Sequence, residues 1–443
     1  VSRTLPLLFG ELDTVFARTA AGAITRRQFL ADVVETAAAL PARSHVVNLC
    51  EDRYLFTVAF AAVLLRGQTS LLPPNRTPQL VNEVARGWAN SYCIADTAVA
   101  GLDIPLHHIG ASGARTVVTE VPSIDAEQVA ALLFTSGSTG QPRPNEKRWG
   151  EFIAGARATA ARLGLDRSPM NLVATVPPQH MFGLETSVIL PLAGMAAVDA
   201  RRPLFPDDVR AVLAETPAPR AVITTPFHLR TFTETQMEWP PIEFVLSATA
   251  PLSAMLAAQA EQAMRTRVLE IYGSTETGAF ATRRTSEDDA WRPMEGFSVE
   301  PAGEGTFIAS APHLRAPVTL NDVIAPDGAG GFRLLGRQAD LISVAGKRGS
   351  LGDLNHRLNA IAGVEDGVFV NPGNDGEHIA RLAALVVAPG LTEAEILTEL
   401  RRSLDPVFLP RPLVKVDRLP RTEAGKLPRT AVLELLRQRG TQR

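Results

Sequence analysis

Cysteine is nearly missing from this chain of 443 residues: there are two, Cys50 and Cys93, each inside an apolar strand-like run, VVNLC and SYCIA. Two isolated thiols argue against a disulfide framework or a cysteine metal centre and predict buried free thiols. Neither sign of charge is in excess, the formal net charge being −3, so nothing global points to nucleic acid or to a bulk membrane surface. Long hydrophobic runs are missing too. The longest, Tyr54 to Leu65, is too short to span a bilayer and predicts a buried helix. The opening VSRTLPLLFGELD has no basic leader ahead of an apolar core, so no secretory signal is expected, and a cytoplasmic soluble enzyme is the default. There is no repeat and no low-complexity tract, and NPGNDGEH in the 370s reads as a polar loop.

What is present begins with length, which exceeds one ordinary core and predicts at least two domains. Strand-like runs at Ser44 to Cys50, Thr69 to Leu72 and Tyr92 to Ala95 alternate with helical stretches at Arg53 to Arg66 and Pro78 to Trp88. That rhythm favours a parallel, helix-covered sheet. It returns with helices at Glu151 to Leu163, Leu184 to Leu192 and Leu252 to Met264, and strands at Leu172 to Val176, Ala221 to Thr225, Phe244 to Ser247 and Val268 to Ile271. From about Asp289 to Gly336, Pro and Gly punctuate short pieces that look like a small antiparallel β subdomain. A compact α+β segment follows. The expected organisation is a large α/β N-terminal domain, 1–339, and a small α+β C-terminal domain, 340–443.

The chemistry-bearing stretch is ALLFTSGSTGQPRP, Ala131 to Pro144. A buried strand, Val129 to Phe134, opens into Thr135, Ser136, Gly137, Ser138, Thr139 and Gly140, a run expected to leave strand conformation. Glycines let backbone approach a ligand, and hydroxyls with successive N–H groups can wrap an oxyanion. The Gly-Lys-Ser/Thr ending of a Walker A loop is missing. Alone, the stretch reads either as a phosphate cradle or as a flexible Ser/Gly turn. A second strand breaks in the same way at Ile271-Tyr272-Gly273-Ser274-Thr275-Glu276-Thr277-Gly278. Tyr272 offers a flat face for a purine, and Glu276 is a hard oxygen ligand suited to Mg²⁺; a strand-to-loop turn with a capping Glu is the plainer reading.

Together these stretches resemble the adenylate-forming superfamily of acyl- and aryl-CoA synthetases, peptide-synthetase adenylation domains and luciferases. TSGSTGQPRP resembles its phosphate loop and YGSTETG its adenine, α-phosphate and Mg²⁺ loop. LLRGQTSLLP (Leu64 to Pro73), PPQHMFGLE (Pro177 to Glu185), SATAPLS (Ser247 to Ser253), LNDVI (Leu320 to Ile324), GRQADLISVAGKRGS and RTEAGKLPR resemble further motifs, in the family's order. The resemblance implies that acid and ATP give acyl-AMP and pyrophosphate, and that the small domain then rotates for transfer to a thiol. It places Thr135, Ser136, Gly137, Ser138, Thr139 and Gly140 on the β- and γ-phosphates, Thr275 on the α-phosphate and Glu276 on Mg²⁺. It places Tyr272, Gly273 and Ala248 around the adenine, and Asp322 with Arg337 at the ribose. Asp340 falls at the hinge, and Lys426, in a Gly-containing loop, becomes the catalytic lysine. His180, Phe182, Gly183, Ala279 and Phe280 become candidates beside the acyl pocket.

The chain departs from the family where Lys and Gly normally follow the phosphate-loop Pro: here Pro142-Arg143-Pro144 stands, with Lys147 nearby as a substitute cation. No Asp stands at the start of the 220s strand, as an amino-acid adenylation domain would require. The pattern is similar to stand-alone ligases of bacterial aryl-polyene and xanthomonadin-type pigment pathways. That likeness implies 4-hydroxybenzoate or a related aryl acid, passed to the phosphopantetheine thiol of an acyl carrier protein. The basic C-terminal run from Arg401 onward suits an acidic carrier protein or the phosphates of CoA. A CoA ligase for a small aryl or acyl acid and a non-catalytic nucleotide- or acyl-binding relative stand as alternatives. No nucleic-acid partner and no integral membrane segment are expected.

Overall fold

Two sheets share one layer of helices. The architecture comes from a computed structural model that describes residues 3–110, 116–136, 142–235, 237–303, 306–337, 341–344, 347–372, 382–422 and 427–440. The first sheet has the strand order Pro142–Arg148, Val129–Ser136, Thr69–Leu72, His45–Asn48, Ser91–Ala95, Leu106–His108. Its strands are parallel except for the outermost, Pro142–Arg148, which is antiparallel to its neighbour. The second sheet has nine strands, with six parallel ones in the middle, from Arg267–Ser274 through Met170–Ala174 to Val15–Thr19. Antiparallel strands close both of its ends.

The largest core cluster joins residues of both sheets, such as Val46, Leu133, Leu172 and Phe244, to Phe29, Phe60, Trp149 and Leu184 from the helices between them. The helix Arg53–Leu65 belongs to this layer, as its unbroken apolar run predicts: eleven of its thirteen residues are buried. Asp52 caps it, accepting from the Leu55 N–H at 2.9 Å. Cys50 and Cys93 are buried free thiols, as expected. Among the described residues no helix is long and apolar enough to cross a membrane.

The strands Ser298–Pro301, Phe307–Ser310, Val318–Leu320, Asp322–Pro326 and Phe332–Arg337 form the expected small antiparallel pieces. Beyond them, the strands Asp366–Val370, Ala383–Val387 and Leu413–Lys415 make a three-stranded sheet. It packs with helices Leu351–Asn359 and Glu393–Ser403 around its own cluster of Leu358, Phe369, Ala384, Ile396 and Leu400. The expected boundary residue Asp340 lies outside the described residues.

Two local expectations are corrected. Thr135 and Ser136 do not leave the strand: Val129–Ser136 runs through them, with Thr135 opposite Arg143 and Ser136 opposite Pro142. The helix expected from Leu184 to Leu192 starts earlier and is not uniform. Met181–Leu184 is α-helical, Glu185–Ile189 is a π turn, and Leu190–Leu192 returns to α.

Candidate active site

The phosphate-loop candidate is the tip of a β-hairpin. Its two arms, Val129–Ser136 and Pro142–Arg148, pair antiparallel with Thr135 and Ser136 at the end of the ladder, while Gly137, Ser138, Thr139 and Gly140 lie outside the described residues. Arg143 is exposed, in keeping with contact to an anion. Lys147 does not stand in for the missing lysine. Side chains alternate along a strand, and Lys147 turns into the protein, 4% exposed, where its Nζ donates to the Glu276 carbonyl at 2.6 Å.

The second loop is the bend between Arg267–Ser274 and Gly278–Arg283. Glycine is obligatory at its first corner, because a Cβ on Gly273 would meet the Gly278 carbonyl oxygen at 2.1 Å. Ser274 and Thr277 brace the loop: the Ser274 N–H donates to Thr277 Oγ1 at 3.0 Å, and the Thr277 N–H to Ser274 Oγ at 3.1 Å. Thr275 is half-buried and Glu276 exposed at the turn.

Tyr272 and Asp322, fifty positions apart, meet: the tyrosine hydroxyl donates to Asp322 Oδ2 at 2.5 Å. Arg337 faces Asp322 directly across the ladder of strands Asp322–Pro326 and Phe332–Arg337. Two residues from separate motifs therefore touch, and the backbone of a third is in register beside them. The Tyr272 ring is held by Phe280, Trp291 and Phe332, with centroids 5.0, 5.2 and 5.9 Å away. Phe280 is fully buried in that aromatic cluster beneath Tyr272, a placement that gives no support to its reading as an acid-facing wall.

SATAPLS follows the strand Phe244–Ser247. Thr249 holds φ +79°, a left-handed conformation costly for a β-branched residue and of the kind that clusters at ligand sites. Ser253 caps the next helix, accepting from the Leu256 N–H at 3.2 Å. Glu270, which the sequence did not mark, ties this loop to the Tyr272 strand. It is 3% exposed, its carboxylate receives Arg283 Nε at 2.6 Å, and burial raises its pKa while Arg283 and the Leu252 N–H oppose the rise. Ala248 and Ala279 are both 8% exposed.

PPQHMFGLE folds back tightly: a Cβ on Gly183 would sit 2.0 Å from the Pro177 carbonyl oxygen, so only glycine fits. His180 and Phe182 are half-buried at the start of the helical segment, Phe182 against the main core. Arg53, another residue the sequence did not mark, is 1% exposed and pins this region. Its guanidinium donates to the carbonyls of Ala174 and Val176 at 2.9 and 2.8 Å and to the Ser187 hydroxyl.

Glu185, at the head of the π turn, is a second buried carboxylate with a raised pKa. Burial pushes it up to about 7, against the opposing pull of Lys147 and of the Ala279 N–H. Burial lowers the Lys147 pKa in turn, opposed by Glu185, Glu151 and Glu276. The signal in the sequence was a charged residue inside the apolar run GLETSVILPL.

Among the described residues no group of three or more His, Cys, Asp or Glu could hold a metal ion. The exposed Glu276 carboxylate nevertheless fits Mg²⁺, which needs one or two carboxylates and otherwise takes phosphate oxygens and water. Lys426 and Asp340 lie outside the described residues.

The family described as AMP-binding enzyme matches residues 17–301. The chain is 30% identical over 300 residues to the 4-coumarate–CoA ligase of Cereibacter sphaeroides, covering 66% of this chain and 69% of that protein. It is also 30% identical over 320 residues to the 4-coumarate–CoA ligase of Halorhodospira halophila, covering 68% of this chain and 76% of that one. In fold it is similar to the O-succinylbenzoate coenzyme A synthetase of Bacillus subtilis in complex with AMP, with TM-score 0.82, 18% identity, and 97% of this chain and 98% of that one covered.

Proposed function

The chain belongs to the AMP-binding enzyme family, and we propose that it activates a compact aryl acid such as 4-hydroxybenzoate and passes it to the phosphopantetheine thiol of an acyl carrier protein. As an AMP-forming acid–thiol ligase it works in two steps. A carboxylate oxygen attacks the α-phosphorus of ATP, and the bond to the bridging oxygen breaks so that pyrophosphate leaves with the electron pair. The thiolate then attacks the acyl carbon of acyl-AMP and AMP departs. A carboxylate alone has no adequate leaving group, and adenylation supplies one; catalysis is mainly positioning and charge neutralisation.

The observation that carries the nucleotide side of the reading is the hydrogen bond of Tyr272 to Asp322, with Arg337 in register opposite Asp322 on the neighbouring strand. Tyr272, with Gly273 and Ala248, would take the adenine, and Asp322 with Arg337 the ribose. Thr275 would take the α-phosphate, and the run Thr135 to Gly140 the pyrophosphate side. Magnesium, when bound, supplies charge neutralisation on the phosphates, and Glu276 would hold it. Lys426, carried on the small domain, would neutralise the carboxylate and the α-phosphate together.

For the acid, the small residue Ala279 favours a compact substrate, and two relatives are named for 4-coumarate, itself an aryl acid. For the acceptor, Arg401, Arg411 and Arg418 are exposed on the C-terminal region. The names of the relatives favour the second reading, CoA as acceptor. Acid-dependent ATP–pyrophosphate exchange across aryl and fatty acids, followed by thioester formation with CoA or carrier protein, tests both. Exchange with aryl acids is expected; exchange with fatty acids alone sinks the aryl reading, and no exchange at all supports a non-catalytic relative.

A further inference from the structure

Two charges in the wall of the site have no part in the reaction as written. Lys147 lies inside, near the end of the hairpin strand Pro142–Arg148, and Glu185 heads the π turn of a different element. Burying an ammonium and a carboxylate is expensive, and hydrophobic residues of similar volume would cost less. They form no contact pair within 4.0 Å, so their presence is not explained by a salt bridge between them.

Each holds the Glu276 loop at a different point. Lys147 Nζ donates to the main-chain carbonyl of Glu276 at 2.6 Å. Three residues later the Ala279 N–H donates to both carboxylate oxygens of Glu185 at 3.2 Å each. Gly278 lies between, with φ +69°, and a Cβ there would come within 2.6 Å of Glu185 Oε1. The absence of a side chain at Gly278 is what lets the carboxylate seat under the loop. With the Ser274–Thr277 bonds inside it, the loop is fixed at both ends and braced in the middle, while the Glu276 side chain stays exposed. The π turn widens the helix where Glu185 must reach the loop, and such turns recur at functional sites.

We propose that Lys147 and Glu185 are positioning residues for adenylation: from beneath, they hold the Glu276–Ala279 turn in the geometry that presents the Glu276 carboxylate to Mg·ATP. This rests on the adenylation reading given above. The two half-reactions separate the idea from a packing role, because the clamp matters where Mg·ATP is engaged and not where a finished acyl-adenylate meets a thiol.

The test uses the full chain with Lys147→Met and, as the near-isosteric partner, Glu185→Gln. Three quantities are read: acid-dependent ATP–pyrophosphate exchange, transfer from chemically supplied acyl-adenylate to the thiol, and calorimetric ATP affinity at low and high Mg²⁺. For Lys147→Met, exchange should fall by about 10-fold or more, the range found when groups orienting a metal ligand are lost. Its ATP affinity should weaken mainly at low Mg²⁺, and transfer should stay within about two-fold of wild type. Glu185→Gln should shift the same quantities in the same direction, and it carries the test if Lys147→Met does not fold. Equal loss in both half-reactions, or exchange and Mg²⁺ dependence unchanged in both variants, overturns the proposal. Wild-type exchange matched by the variants removes this inference alone, whereas a wild-type chain with no exchange removes the adenylation reading and this inference with it.

Discussion

Gly273 and Gly155 make opposite predictions from the same substitution. At Gly273 a methyl group would collide with the Gly278 carbonyl at 2.1 Å, so Gly273→Ala must open the bend that carries Thr275 and Glu276. Forced overpacking of this kind costs about 1–3 kcal/mol, and ATP–pyrophosphate exchange should be lost along with it. Gly155 lies within the helix Trp149–Leu163, and an added methyl group there would have nothing within 4 Å. Gly155→Ala should therefore stabilise by roughly 0.5–1 kcal/mol through helix propensity, with activity kept; urea melts of both variants check the pair. Glu185 makes a pH prediction. Its carboxyl stands at about 7 in the folded chain against an ordinary 4.5, so the folded state prefers it protonated. The stability that preference contributes is full below about 4.5 and is lost as pH rises to about 7. Glu185→Gln mimics the protonated form, so its melting temperature relative to wild type should rise between pH 5 and pH 8; a constant difference would contradict the environment assigned to Glu185.

Single elements explain which parts of the site were legible in the sequence. Thr135 to Gly140 and Tyr272 to Gly278 stood out because glycine and hydroxyl clusters follow apolar runs, and strand ends carry that signature directly. The strand Pro142–Arg148 was invisible for the converse reason: two prolines and four charges do not read as strand. Proline is tolerated there because this is the edge of the sheet, where one row of N–H groups needs no partner. The π turn Glu185–Ile189 left no mark either, since one extra residue within a turn barely alters the period of an apolar run. Arg53 was hidden as the first residue of a hydrophobic helix, although it braces the end of Met170–Ala174 against the π turn. Arg53→Met leaves two buried carbonyls without that donor, and on the order of 3 kcal/mol of stability should go with it. An intact melting curve would show that water or neighbouring groups replace the guanidinium.

For the whole molecule, the sequence showed a basic C-terminal run, but folding uses part of that charge internally. Lys415 donates to the Leu391 carbonyl, Arg421 clasps Asp366 through two bonds of 2.7 Å, and Arg402 pairs with Glu399 at 3.0 Å. Which cations remain available to a partner is thus a property of the tertiary structure and could not be counted from the sequence. Arg411 and Arg418 are among the exposed ones. Reversing both to Glu should slow transfer to a carrier protein by about tenfold at low salt and much less at high salt, because surface charge acts chiefly on encounter. Transfer to free pantetheine should not change. Equal slowing with both acceptors would move the carrier surface elsewhere.

The two thiols lie on opposite faces of the six-stranded sheet: Cys50 in the cluster shared with the central helices, Cys93 in the cluster with Val47, Leu71 and Val81. Burial suppresses thiolate formation at both, pushing Cys93 up to about 12 and Cys50 well above its usual range. The native chain therefore carries two silent labels, one per face. A thiol-reactive dye, quantified by mass at each cysteine over time, should read the opening rate of each side of the sheet without any engineered probe. Equal rates would mean that the sheet comes apart as one cooperative unit, and a faster Cys93 that its outer layer lifts first.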